Sequence, residues 1–301
     1  MRKVLKWIGF GLAGLLGLVV MAAVVVFALA SAKFNRTYEL NVASVAIPSD
    51  EVALARGEHL VRAISGCDGC HGENLGGMVL LNDPAIMTFY GPNLTAGAGG
   101  AAARLSDEDW VRAIRHAIGT DGKPLLLMPA QDFRWITDED IGAVVAYIRS
   151  LPPVDNEVPE PRLGPMGYVL ALMEPGFVPA ALFDHTEPPA AAVEPGVTVE
   201  YGGYLVALGT CRDCHGEHLN GRPLPPMLDE PPARNLTPAG NLANWSEEDF
   251  IQTIRNGVTP EGQGLREPMA GVLPSLRKQT DDELRAIFLY LQSLPPREFG
   301  E

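Results

Sequence analysis

Positive charge is in short supply in this chain. Its 301 residues carry 23 lysines and arginines against 37 aspartates and glutamates, a formal net charge of −14. That deficit excludes the basic patch on which nucleic-acid binding depends. It fits an acidic, well-solvated surface and a partner with a basic docking face. Cysteine is scarcer, with four residues in all. They fall into two pairs, so no thiol is left over for another role. Apolar residues run long in one place only, Ile8 to Ala30.

Both cysteine pairs lie in the same pentapeptide, Cys67-Asp68-Gly69-Cys70-His71 and Cys211-Arg212-Asp213-Cys214-His215. Cys-x-x-Cys-His is the attachment signature of c-type haem. Two thiols three positions apart can each bond one vinyl group of a porphyrin, and the adjacent imidazole reaches the iron from the same side. Cys67, Cys70, Cys211 and Cys214 are therefore expected to hold two covalent haem c groups, with His71 and His215 on the irons. A zinc site would require both pairs to meet and would leave the repeated histidines unexplained. A thioredoxin-like thiol motif expects a preceding strand in a βαβ setting, which the pattern lacks.

The chain repeats itself at about 143 residues. Gly57-Glu58-His59-Leu60-Val61 aligns with Gly202-Gly203-Tyr204-Leu205-Val206, and the two pentapeptides follow at an offset of 144. Asn93-Leu94-Thr95 aligns with Asn235-Leu236-Thr237, Ser106 to Trp110 with Ser246 to Phe250, and Thr137 to Asp140 with Thr280 to Glu283. Both copies close on Ser-Leu-Pro-Pro. Landmarks in one order predict two homologous domains, 50–153 and 198–296. Only two copies and so long a period exclude a solenoid.

Each copy reads as helical, so the expected fold is all-α. A first helix over 50–65, or 199–209, leads into the pentapeptide. A middle helix opens at Ser106 or Ser246 with a variant capping box, and its apolar positions Trp110, Ala113, Ile114 and Ala117 share one face. Gly119 or Gly257 is expected to cap its end. A last helix opens at Thr137 or Thr280 and stops at the Pro-Pro pair. Between the copies, residues 154–197 form a proline-rich connector. Its centre, 166–183, is apolar and is expected to pack on a domain or touch a membrane surface.

Ile8 to Ala30 is uncharged, and 23 residues of helix span roughly 35 Å, enough to cross a bilayer. Arg2, Lys3 and Lys6 precede it and place the N-terminus in the cytoplasm. Signal-peptide cores are shorter, so residues 1–32 read as an uncleaved single-pass anchor. The rival is cleavage near Ala28-Leu29-Ala30 or Ala30-Ser31-Ala32. C-type haem is attached outside the cytoplasmic membrane, which implies a body facing the periplasm or outer face.

A ligand completing each iron should recur in register. Met128 follows His71 by 57 residues and Met269 follows His215 by 54, both between the middle and last helices. They are the expected second axial ligands. Met78, Met87 and Met227 sit closer to their pentapeptides and lack a common register. His59 aligns with Tyr204 and His116 with Asn256, so neither recurs. His185 and His218 read as surface histidines. Thioether ligation favours ferrous iron and raises the potential. Asn93 and Asn235 could either bond a haem propionate or close a local turn.

Each half thus resembles a class I-like cytochrome c domain, with its N-terminal helix, Cys-x-x-Cys-His, loop, and a methionine between two later helices. The phrases Asn-Leu-Thr, Ser-Asp-Glu-Asp-Trp and Ser-Leu-Pro-Pro look like those of bacterial membrane-bound cytochrome c chains, including the cytochrome subunits of alcohol and gluconate dehydrogenases. The resemblance implies tandem cytochrome c-like domains behind a transmembrane helix. Such a dihaem carrier would pass single electrons at the bacterial cytoplasmic membrane and would not itself be an enzyme. Its expected partners are a quinol-side or dehydrogenase donor and a terminal oxidase or other acceptor. The alternative is a fixed electron-transfer subunit of a dehydrogenase. A dihaem peroxidase would need an open iron position, against which two in-register methionines argue.

Overall fold

The computed structural model describes residues 2–224 and 230–301; Met227 lies outside them. In chain order the helices are α1 (Arg2–Phe34), α2 (Glu51–His59), α3 (Asp68–His71), α4 (Asp107–His116), α5 (Ala130–Phe133), α6 (Asp138–Ser150), α7 (Pro165–Met173), α8 (Val199–Leu208), α9 (Cys211–His215), α10 (Glu247–Asn256), α11 (Met269–Leu276) and α12 (Asp281–Ser293). Three strands, β1 (Met78–Asp83), β2 (Met87–Gly91) and β3 (Arg162–Leu163), form an antiparallel sheet in that order.

The helix starts follow from side-chain caps. Ser106 and Ser246 each accept from the amide of the aspartate three residues on, and that aspartate accepts in return from the serine amide. Thr137 and Thr280 open α6 and α12 by accepting from Asp140 N and Glu283 N, and Glu283 accepts in return from the Thr280 amide. At the other end of the middle helices the expectation holds in one copy only. Gly257 caps α10 in the left-handed region, with φ 73°. In the first copy Ala117, not Gly119, takes that conformation, with φ 50°. The hydrogen bond from its amide to Ala113 sets the cap position, whatever residue stands there.

The all-α expectation fails at the sheet. Met78–Asp83 and Met87–Gly91 flank the turn Asp83-Pro84-Ala85, where Asp83 Oδ1 accepts from Ala85 N at 2.8 Å. Strand formers such as Val79, Phe89 and Tyr90 then pair across it. β2 lies inside the sheet, with Met87, Phe89 and Gly91 buried, while β1 stays largely exposed. The third strand comes from the connector, where Leu163 pairs with Met87.

Two helix crossings organise the rest, α2 on α6 and α8 on α12. Each needs a glycine. A methyl group at Gly57 would collide with the Ala143 carbonyl and lie 2.8 Å from Tyr147 Cβ. At Gly202 it would collide with the Ala286 carbonyl and lie 2.8 Å from Tyr290 Cβ. The obstacles are mostly backbone, so little can yield. We expect Gly57→Ala and Gly202→Ala each to cost roughly 1–3 kcal/mol, as overpacking does; denaturant unfolding read by circular dichroism checks this.

The repeated segments share one core. Leu60, Val61 and Ile141 of the first join Leu205, Leu208 and Leu284 of the second in a single cluster of buried side chains. A polar belt also crosses between them. Tyr204 donates to Asp140 Oδ2 at 2.7 Å, and His59 Nε2 lies 2.8 Å from both Glu283 carboxylate oxygens. His59 and Tyr204 are aligned positions, as are Asp140 and Glu283. The two contacts are thus the same exchange made in opposite directions. Arg56 stands between them, donating to both Asp140 oxygens at 2.8 Å and to the Tyr201 hydroxyl at 3.2 Å.

Helix α1 is, among the described residues, the one helix long and apolar enough to cross a membrane. Connector helix α7 packs against its C-terminal end.

Candidate functional site

Each Cys-x-x-Cys-His forms a single helical turn, α3 or α9. One turn brings the two sulfurs to the same face, as attachment to one flat macrocycle requires. Glycine follows each histidine in a conformation that glycine alone adopts readily, with φ 83° at Gly72 and 85° at Gly216. This reverses the chain. Leu75 and Leu219 then turn left-handed at φ 55° and 58°, and both are almost wholly buried.

The imidazoles are oriented by a second repeated contact. His71 Nδ1 donates to the Pro92 carbonyl at 2.9 Å, and His215 Nδ1 to the Arg234 carbonyl at 2.7 Å. With Nδ1 protonated, each Nε2 keeps its lone pair, the arrangement a metal-ligating imidazole takes. Burial lowers both histidine pKa values and keeps the rings neutral. Both acceptor carbonyls belong to the residue just before Asn-Leu-Thr. The recurring phrase marked this loop, but not which of its atoms would be used.

The side chains of Asn93 and Asn235 close local turns and bind protein carbonyls. Asn93 Oδ1 accepts from Thr95 N and Thr95 Oγ1 at 2.9 Å, and its Nδ2 donates to the Val154 carbonyl at 2.6 Å. Asn235 repeats this with Thr237 and the Arg297 carbonyl. Asn93 is fully buried. The pair tie the loop beneath each histidine to the chain leaving the last helix.

The rival uses of the cysteines fail on chemistry. Burial pushes the Cys67 and Cys211 thiols up to about 12, with Asp68 and Asp132 respectively adding to it. A thiol-exchange cysteine needs the opposite shift. Among the described residues no three His, Cys, Asp or Glu side chains converge as a metal-ion cluster, so the cysteine pairs do not meet as a zinc site. Two thiols on one turn beside an Nδ1-tethered histidine fit haem c.

Met128 and Met269 occupy corresponding places, half-buried against the core and at the entry to the short helices α5 and α11. Met87 is buried in β2, and Met78 on β1 is 39% exposed. Each short helix also reaches the other segment. Gln131 Nε2 on α5 donates to Asp213 inside the second pentapeptide at 2.8 Å. On the other side α11 packs against Leu60–Ile64, and Gln279 Nε2 just beyond it donates to the Ala63 carbonyl at 3.1 Å. His185 corrects the surface reading: its Nδ1 lies 3.1 Å from His116 Nδ1, and its Nε2 donates to the Ala180 carbonyl.

Residues 52–148 match the family described as cytochrome c oxidase, cbb3-type, subunit III. The chain carries a cytochrome c domain. It is 30% identical to the gluconate 2-dehydrogenase cytochrome c subunit of Pantoea cypripedii over 84% of its own length and 62% of that protein's. It is 26% identical to the cytochrome c subunit of a quinone alcohol dehydrogenase of Gluconobacter oxydans, over 82% of this chain and 56% of that one. A diheme cytochrome c-type protein of Cereibacter sphaeroides is 26% identical over 81% and 86% of the respective chains. The chain thus spans about three fifths of the length of the two dehydrogenase subunits.

Proposed function

We propose that this cytochrome c chain is a dihaem electron carrier, with haem-binding domains at 50–153 and 198–296 joined by the connector 154–197. The observation that carries the reading is the twice-built pentapeptide turn, each with its histidine Nδ1 tied to a loop carbonyl. Cys67 and Cys70 would hold one haem c, and Cys211 and Cys214 the other. His71 and Met128 would ligate the first iron, and His215 and Met269 the second. A bound haem supplies one-electron chemistry at iron. The chain's own work is to fix each imidazole, to pack apolar side chains such as Leu75 and Leu219 around the site, and to keep water out. No proton transfer or substrate bond is asked of it, so catalysis belongs to another chain.

Helix α1 is the single-pass anchor, N-terminus in the cytoplasm and body at the outer face of a bacterial cytoplasmic membrane. Donor and acceptor are a quinol-side or dehydrogenase protein and a terminal oxidase or other acceptor. The relatives named as dehydrogenase subunits favour a second form of the same reading, a subunit fixed in such a complex. Co-purification with a flavin or quinone dehydrogenase distinguishes it from a free carrier.

A redox titration followed optically tests the reading. Two one-electron waves are expected, with the weak long-wavelength band of methionine-bound ferric haem. Met128→Ala and Met269→Ala should each abolish half of that band and lower one potential, leaving the other wave in place. Unchanged potentials in both variants would remove the methionine assignments.

A further inference from the structure

The connector helix α7 is the least expected element outside the haem sites. Its nine residues, Pro165-Met-Gly-Tyr-Val-Leu-Ala-Leu-Met173, carry no charge. Its large apolar side chains are open at three positions: Met166 is 51% exposed, Leu172 38% and Met173 70%. A soluble body gains nothing from such a face.

Its position explains it. Tyr168 packs on Phe27 with ring centroids 4.9 Å apart and on Phe34 at 6.4 Å. Ala30 and Ala171 are both fully buried, and Lys33 Nζ donates to the Ala171 carbonyl at 3.0 Å. Phe27 and Ala30 belong to the last turn of the apolar run. That run measures roughly 35 Å as helix against a hydrocarbon thickness of about 30 Å. A helix seated on its final turn therefore meets the boundary between acyl chains and headgroups. Tyrosine and lysine at this level are the side chains that boundary selects, one with an apolar body and polar tip, the other able to extend its amine toward water.

We infer that α7 lies in the outer membrane–water boundary, with Met166, Leu172 and Met173 against the phospholipid leaflet. It is a second membrane contact, separated from α1 by the whole first haem-binding segment. This rests on reading α1 as the anchor. Two contacts far apart in sequence fix the tilt of the body where one helix would leave it free to swing. The sheet carries that constraint toward the first haem turn. Met87 of β2 pairs with Leu163 just before α7, and Gly91 at the other end of β2 packs against the backbone of Cys70.

The test uses the full holoprotein, purified without partner subunits, in bilayers of zwitterionic phospholipid doped with a lipid bearing a photoreactive diazirine near the headgroup end of its acyl chain. Mass spectrometry then maps the adducts. Adducts on 165–173 as well as on 8–30 are expected, and Leu172→Glu with Met173→Glu should cut the α7 adducts at least several-fold while those on α1 stay. Adducts confined to α1 would overturn the inference and leave the anchor standing, the result expected if α7 faces a protein subunit instead. Adducts on neither helix would overturn the anchor reading, and the inference with it.

Discussion

Asp140→Ala is expected to lower the unfolding free energy by about 3–5 kcal/mol, the range seen when one member of a buried ion pair is removed. The Asp140 side chain is 9% exposed. It takes three hydrogen bonds, from Arg56 Nε, Arg56 Nη2 and the Tyr204 hydroxyl. Truncation strands a guanidinium inside the protein and leaves the buried Tyr204 hydroxyl with no acceptor for its proton, though it still accepts from Thr137 N, and it does so at the contact between the two repeated segments. Tyr204→Phe removes two hydrogen bonds, the one to Asp140 and the one from Thr137 N, and keeps the ion pair, so it should cost only about 1–3 kcal/mol. Replacing Arg56 and Asp140 together by methionine and leucine should restore much of the loss, because no charge is then left uncompensated. Denaturant titration of the holoprotein, read at the haem absorbance and by circular dichroism, measures all three. A loss below about 1 kcal/mol in Asp140→Ala would mean that water reaches the belt.

The second large effect is pH-dependent and belongs to Asp132. This residue on α5 is 4% exposed, and its Oδ2 has no hydrogen-bond partner. Burial, then the nearby Asp213 carboxylate, push its carboxyl up to about 8, against the pull of Arg212 and Arg134. In the unfolded chain it would ionise near the ordinary 3.8. Between those values the folded protein holds a proton that the unfolded chain has released. Stability is therefore full at low pH, falls as pH rises through that window, and levels off above it. The slope amounts to on the order of a few kcal/mol in total. Asp132→Asn cannot ionise, so it should lose this slope and be more stable than the parent at pH 9, with little difference at pH 4. Thermal unfolding of both proteins across that range gives the comparison. Parallel curves would show that Asp132 is ionised in the fold, with Arg134 or Arg212 as its counter-ion.

Much of the site could be read from the residues because its signals are local. Cys-x-x-Cys-His occupies one turn, the caps at Ser106, Thr137, Ser246 and Thr280 act over three residues, and α1 is a continuous apolar run. What escaped depends on partners distant in the chain. His185 looked like a surface residue because nothing nearby in sequence points to His116, 69 positions away. Of the two uses open to Asn93, the local turn with Thr95 is present, and what the sequence did not indicate is its second bond, to the Val154 carbonyl 61 residues on. The belt of Arg56, His59, Asp140, Tyr201, Tyr204 and Glu283 was hidden for a further reason. The copies align through identical residues, whereas the contact across them is made by unlike ones, His59 with Glu283 and Tyr204 with Asp140. The sheet was missed because a short apolar run such as Met87–Gly91 suits a strand or a helix until its neighbour is known.

Mass spectrometry of the denatured holoprotein bears most directly on the reading as a dihaem carrier. Two covalent haems predict an intact mass equal to the chain plus two haem groups, with the tryptic peptides around Cys67–His71 and Cys211–His215 each carrying one. A mass equal to the bare chain, or to the chain less four hydrogens from two disulfides, would contradict it.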